Sequence, residues 1–449
     1  MNPNPAKVLE KARELHHSRQ HEEALGAYRQ YLNLRPQHAG AWADLGELFL
    51  LMARLDEACE ACDRALALEP GERQARLVLA EALVKTKNLE RATVVLAEAL
   101  RLDPDHLSVR AALEAVLLAP GNSLDPQKEF KSHFGVDPSG EKLWNLACRN
   151  LLLGHMQLGW EQYESRWDVP GTDLRPKELM LARPQWDGES FVGKNLLLRW
   201  EQGLGDVIMF GRYAPLVQAR GGRVLLEVVE PLVDLMATCA GVDEVIKHGD
   251  PLPPFELQLP LLSLPRIFRT DLASIPANIP YLSIPDRVPH REGIDRILAA
   301  TRGHTRVGLV WAGNPKHIND VERSIPSALL KPFEALPVAW HGFQVGQSME
   351  PPFPAVVPMG PVIGGSFADT SYALSAMDLV ITVDTAIAHL AGALGLPTFL
   401  LITAFPDWRW LLDRTDSPWY PTMRLYRQSE AGNWASVIER VISDLSSGG

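Results

Sequence analysis

Cysteine is scarce, with only four in 449 residues; so long a chain cannot rest on a disulfide framework, and the usage suits a reducing compartment. Long apolar runs are also lacking. No stretch reaches the eighteen apolar residues of a membrane-crossing helix, and residues 1–10 have neither the basic start nor the apolar centre of a secretory signal. The longest apolar region, Leu379 to Phe405, is broken by Asp384, His389 and Pro397, so it reads as strand, helix and strand. Positive charge is in deficit: 44 Lys plus Arg face 55 Asp plus Glu, a net charge of −11. That balance argues against phosphate backbones or anionic lipid as partners of the surface at large. The expectation is a cytoplasmic globular protein with no nucleic-acid partner and no membrane span. Its length suits roughly three domains.

What is present first is a repeat. Pro36, Pro70 and Pro104 are 34 residues apart, as are Ala24, Ala58 and Ala92. Each proline follows Leu-Arg, Leu-Glu or Leu-Asp, where it would end one helix and open the next. Trp42, Leu45, Gly46, Phe49, Ala58, Cys62 and Ala65 fall where paired helices touch. Residues 5–104 therefore match the tetratricopeptide pattern. A degenerate unit at 105–138 and a further helical pair from Leu143 to Trp167 extend the repeats to 168, and a linker at 169–194 follows. Cys59 and Cys62 have zinc-like spacing, but their helical core positions and the lack of a second Cys/His pair favour packing. A superhelix of such repeats has a concave groove suited to a protein or peptide. Plain packing or dimerisation is the alternative.

Beyond Trp167 strands alternate with helices, which implies parallel sheets in two doubly wound halves, residues 195–290 and 305–449. The first series reads as strands Asn195–Trp200, Arg223–Val229 and Glu244–Lys247, with helices Asp206–Arg220 and Pro231–Ala240. The second reads as strands Val307–Ala312, Val338–Phe343, Leu379–Val383 and Thr398–Ile402, with helices Pro326–Leu336, Thr370–Ala376 and Ala386–Leu394. Parallel sheets bind ligands beyond the carboxyl ends of their strands, so three loops carry the candidate chemistry.

The first loop runs from Glu201 to Asp206, with Gly203 and Gly205 permitting close backbone approach. Asp206 either caps the helix or acts chemically. The second, from Trp311 to Pro326, holds Gly313, Lys316, His317 and Arg323 and could embrace a diphosphate, a solvated surface loop being the alternative. The third has Asp384, Thr385 as a candidate helix cap, and His389 one turn on, either a ligand or a core histidine.

With these loops in view, residues 186–445 resemble the glycosyltransferase domain of bacterial heptosyltransferase type, which has the two-lobed GT-B fold. The resemblance implies that Asp206 of Gly205-Asp206 acts as base. It also implies that Asp384, Thr385 and His389 hold the nucleotide sugar and that Arg323, three before Pro326, contacts its phosphate. The whole chain is similar to bacterial tetratricopeptide proteins carrying this domain, through Asp407 to Arg414 and Ser417 to Pro421. One departure stands out: His341-Gly342-Phe343-Gln344-Val345-Gly346 keeps Gln344, but Val345 replaces a cation. Either Lys316 or Arg323 supplies that charge, or donor binding is weakened.

The expected chemistry is an inverting transfer of sugar from a nucleotide sugar to a protein acceptor, and the resemblance implies a Ser or Thr hydroxyl on flagellin or another surface protein as that acceptor. No metal or cofactor is called for. Arg323, Lys316, His389 and the helix beginning at Thr385 would neutralise the leaving diphosphate. The indoles of Trp408 and Trp410 are candidate sugar or base contacts, with Arg409 between them; core burial is their alternative. A non-catalytic adaptor with degenerate lobes is the second expectation. A dinucleotide oxidoreductase using Glu227 or Glu230 is the third, opposed by Ile208 where a third glycine belongs.

Overall fold

A computed structural model of the chain describes residues 4–103, 107–117, 126–134, 139–169, 183–316, 320–346 and 350–447. Two compact units divide it, Met1–Ser139 and Gly140–Gly449. Among the described residues no helix is long and apolar enough to cross a membrane.

The first unit is built of antiparallel helix pairs: Pro5–His17 with His21–Leu34, Ala39–Leu51 with Leu55–Leu68, and Arg73–Lys85 with Leu89–Leu102. The turn inside each pair repeats with the sequence period. Arg19, Ala53 and Lys87, 34 residues apart, all adopt left-handed backbone, with φ of 60°, 56° and 60°. The residue after each sends its N–H back five positions, from Gln20 to Leu15, Arg54 to Phe49 and Asn88 to Leu83, at 2.8–2.9 Å. These bonds close the helix ends. Pro36 and Pro70 lie between pairs but do not open the next helix, which begins three residues later at Ala39 and Arg73. Pro104 lies outside the described residues. Cys62 is fully buried and burial pushes its thiol up to about 12, so it acts as a small apolar side chain.

The boundary at 168 is not where the structure divides. Helices Gly140–Leu152 and Met156–Tyr163 belong to the second unit, because Trp160 packs edge-on against Phe210, Trp408 and Trp419. An apolar stripe that looks like repeat packing thus serves another core. The expected linker ends early as well. Trp186 is buried against Phe191 and Phe268, and its N–H bonds Gln258 O at 2.9 Å.

The second unit contains two wholly parallel sheets. The first has β1 (Asn195–Arg199), β2 (Arg223–Val228), β3 (Glu244–Lys247) and β4 (Leu257–Pro260) in the order β3-β2-β1-β4. The second has β5 (Arg306–Val310), β6 (Ala339–Gly342), β7 (Val357–Pro358), β8 (Leu379–Val383), β9 (Thr398–Ile402) and β10 (Met423–Arg427), ordered β10-β9-β8-β5-β6-β7. Leu196, Leu198, Val224 and Leu226 are fully buried, as are Val380, Ile381 and Val383. Such burial, about 1.5–3 kcal/mol per side chain, explains the near-continuous apolar strands. The fold is thus a helical repeat domain followed by two doubly wound α/β halves, as expected.

Local details differ. The expected helix 206–220 is helix Leu204–Phe210, a 3₁₀ turn and helix Ala214–Gln218, with Pro215 opening the last. Pro332 keeps Ser327–Ala335 in a 3₁₀ form, where a regular helix was expected. The sequence reading also missed β10 and the helix Trp434–Ser447, which covers the second sheet through Val437, Ile438 and Val441.

Candidate functional site

The loop after β1 turns sharply at Gln202, whose φ of 62° is left-handed. Its amide exchanges hydrogen bonds with the Tyr163 hydroxyl at 3.1–3.2 Å. Gly203 then starts helix Leu204–Phe210, and its N–H donates to Asp206 Oδ2 at 2.8 Å. Asp206 therefore does cap its helix. Its other oxygen, Oδ1, accepts from Arg409 Nη2, an ion pair between the two α/β halves.

Arg409 follows β9 in the segment Asp407–Trp410. Its Nη1 donates to Asp407 Oδ1 at 2.7 Å, and Asp407 Oδ1 also accepts the Arg409 N–H at 3.0 Å. Its guanidinium lies 4.1 Å from the centre of the Trp408 ring. The Arg409 Nε is buried and has no hydrogen-bond partner among the described residues. Burial works against the positive charge, but Asp407 and Asp206 outweigh it and hold the pKa well above the ordinary arginine value. The segment ends at Leu411, with φ 54° and ψ −169°, a region costly for any residue with a Cβ. Arg427 braces it, donating to the carbonyls of Trp410, Leu411 and Arg414.

The loop after β8 carries Asp384, Thr385 and His389 to the same place. A methyl on Gly205 would stand 2.7 Å from His389 Cδ2 and 3.4 Å from Ala386 Cα, so only glycine lets the two helices approach. His389 does not supply the expected cation. It is buried, its Nδ1 is 3.0 Å from the Tyr420 hydroxyl, and its ring stacks on Trp410 at 5.4 Å. Burial, then the charges of Arg409 and Arg212, drive its pKa well below the histidine range, so it is neutral. Arg212 is itself buried, bonded to Trp419 O at 2.6 Å and Met209 O at 2.8 Å. Burial and then the Asp407 carboxylate push Asp384 up to about 6, against the pull of Arg409 and Arg323. Thr385 begins helix Ala386–Ala393 but its side chain makes no cap bond, contrary to expectation; its hydroxyl is 3.5 Å from that of Thr382.

The loop after β5 is tied down by its own side chains. Gly313 N–H donates to Ser324 Oγ at 3.0 Å, and a methyl there would come within 2.6 Å of the Arg323 guanidinium. Arg323 Nε pairs with Asp320 at 3.2 Å, and its charge is felt at Asp384. Lys316 is exposed, and His317 lies outside the described residues. Gln344, expected to contact the donor, is spent on the backbone: Oε1 accepts from Trp311 and Ala312 N–H, and Nε2 donates to Ala312 O at 2.9 Å. Its role is to pin the end of β5. Trp408 is buried against Trp160, Tyr163 and Trp419, so its indole is core. Glu227 is locked between Arg199 at 3.0 Å and His248 at 2.8 Å and cannot serve a ribose.

The structure thus gathers Asp206, Asp384, Asp407, Arg323 and Arg409 where loops from both sheets meet. Sequence reasoning gave no site role to Asp407, Arg166, Tyr163 or Tyr420. Only Asp407 left a local signal, an acid two residues before Arg409 in position to cap a turn.

Residues 53–117 match the tetratricopeptide repeat family. Protein FlbA of Caulobacter vibrioides is 28% identical over 323 residues, which cover 66% of this chain and 53% of that protein. The chain therefore spans about half the length of this curated relative. Among solved structures, a glycosyl transferase family 9 protein from Veillonella parvula superposes with a TM-score of 0.43 at 12% identity, over 58% of this chain and 99% of its own. YrrB, a tetratricopeptide protein with an unusual peptide-binding site, does so with a TM-score of 0.30 at 19% identity, over 37% of this chain and 87% of its own.

Proposed function

We propose that the chain is an inverting glycosyltransferase that moves a sugar from a nucleotide sugar to a hydroxyl of a protein acceptor, with the repeats recruiting that acceptor. The observation that carries this reading is the meeting of Asp206, in the loop and helix beyond the carboxyl end of β1, with Arg409 and, through Gly205, with the start of helix Ala386–Ala393, while Arg323 acts on Asp384; all of these partners lie beyond carboxyl ends of the other sheet. One side offers a carboxylate, and the other offers cations and a helix start that the Thr385 side chain leaves uncapped. An acceptor oxygen attacks the anomeric carbon, the bond from that carbon to the diphosphate oxygen breaks, and the hydroxyl proton passes to Asp206. Arg409 and Arg323 take the charge of the departing nucleoside diphosphate. The neutral His389 orders the site through Tyr420 and Trp410.

A thermal-shift panel of UDP, GDP, ADP and CMP sugars, followed by transfer assays, tests the reading. Asp206→Asn is expected to end transfer while donor binding persists; unchanged turnover would remove Asp206 from the base role. A non-catalytic repeat adaptor is the second reading, favoured by the exposed Val345 where a cation is expected. Failure of every sugar nucleotide to raise the melting temperature supports it.

A further inference from the structure

We propose that Arg409 is shared between Asp206 and the diphosphate of the donor, so that donor binding draws the guanidinium away and releases Asp206 to act as base. The proposal rests on the transferase reading above. Its ground is the geometry of the ion pair. Both Asp206 oxygens are engaged, Oδ2 by Gly203 N–H and Oδ1 by Arg409 Nη2. Oδ1, the oxygen not held by its own helix, is thus already taken by Nη2 where an acceptor hydroxyl would have to donate, and the pair has to open before that hydroxyl can be placed on it.

Arg409 is built to exchange one partner and keep another. Nη1 stays on Asp407, which is fixed by its own bond to the Arg409 N–H, whereas Nη2 alone holds Asp206. The buried Nε has no acceptor among the described residues, so the guanidinium has unused donor capacity at this place. Its charge already acts on Asp384 and His389, on the loop and helix that carry the proposed phosphate site. The backbone beneath it is clamped by Arg427 at Trp410 and Leu411, which confines the exchange to the side chain. A diphosphate carries more negative charge than one carboxylate and suits the planar fork of arginine. Base release then depends on donor occupancy, and an acceptor is deprotonated only when a sugar is present to receive it.

Competition for one guanidinium makes an unusual prediction for the full-length protein. With UDP, GDP, ADP and CDP as probes in titration calorimetry, Asp206→Asn should tighten binding of the preferred nucleotide by about tenfold, since the competing carboxylate is gone. Arg409→Gln should weaken it by a similar factor, and the double variant should match Arg409→Gln alone. Asp206→Ser, which keeps a small acceptor for Gly203 N–H, replaces Asp206→Asn if that protein does not fold. Nucleotide binding that is unchanged or weakened on removing the Asp206 charge overturns the shared-guanidinium proposal and leaves the transferase reading intact. Binding of no nucleotide by the wild type or the Asp206 variants overturns both.

Discussion

Arg166 and Glu201 form a buried ion pair, Nε to Oε2 at 2.8 Å and Nη2 to Oε1 at 3.0 Å, that joins the helical pair of residues 140–163 to the loop bearing Asp206. Arg166 also reaches Glu164, Ser263 and the Tyr163 carbonyl, and Glu201 accepts the Leu262 N–H at 2.9 Å. Arg166, Glu164 and Glu201 each have an oppositely charged partner here, which is the condition under which buried charge is tolerated. The helical pair is therefore a support for the candidate site.

Breaking that pair should be costly. Arg166→Met leaves Glu201 buried without its cation, and about 3–5 kcal/mol of stability is expected to be lost in chemical denaturation. Arg166→Met with Glu201→Leu should recover much of the loss, because no unpaired charge then remains. A loss under about 1 kcal/mol for the single variant would show that the pair is dispensable.

His389 predicts a pH dependence. Its folded pKa lies well below the unfolded value of about 6.5, so between the two the unfolded chain binds one more proton than the folded one. Stability from this group is present above pH of about 6.5 and falls as the pH drops below it. His389→Gln should flatten the acid limb by up to about 1.4 kcal/mol per pH unit. Equal slopes in the two proteins would mean that the imidazole protonates freely in place.

The contact between Gly205 and His389 gives a steric test. Gly205→Ala inserts a methyl 2.7 Å from His389 Cδ2, and the resulting displacement should cost about 1–3 kcal/mol. The same variant should weaken nucleotide binding, since Asp206 and the loop after β8 move apart. A fully stable Gly205→Ala protein would show that the helices separate at no cost.

Two changes in the repeats should have the opposite sign. Gly26 lies inside helix His21–Leu34, and a methyl there meets nothing within 4 Å. Gly26→Ala is expected to stabilise by about 0.5–1 kcal/mol. Ala53→Gly relieves a left-handed backbone and should stabilise by a similar ~0.5–1 kcal/mol, read as a higher melting temperature. A lower melting temperature for either would contradict the geometry.

The strands Glu244–Lys247, Leu379–Val383 and Thr398–Ile402 were legible to the residue, because each is a short apolar or β-branched run bounded by turn residues. The three loops were legible for the same reason, since they follow where those runs stop. Gln344 was misplaced, and Trp408 was left open between ligand contact and core, because their roles depend on partners that no spacing reveals. Gln344 binds backbone 32 residues away, and Trp408 packs on Trp160 from a helix that looked like part of the repeats.

By itself the sequence determined the repeat period, the alternation of strand and helix, and therefore the loops where ligands would gather. These features are written locally, in helix-pair contacts every 34 residues and in apolar runs matched to strand length. Only the tertiary structure decided which charges exist and whom they meet. Asp206 and Arg409 are 203 positions apart, and Arg166 and Glu201 are 35 apart. Histidine at 389 is neutral because burial removes the water that would stabilise its charge, and burial is a property of the assembled core.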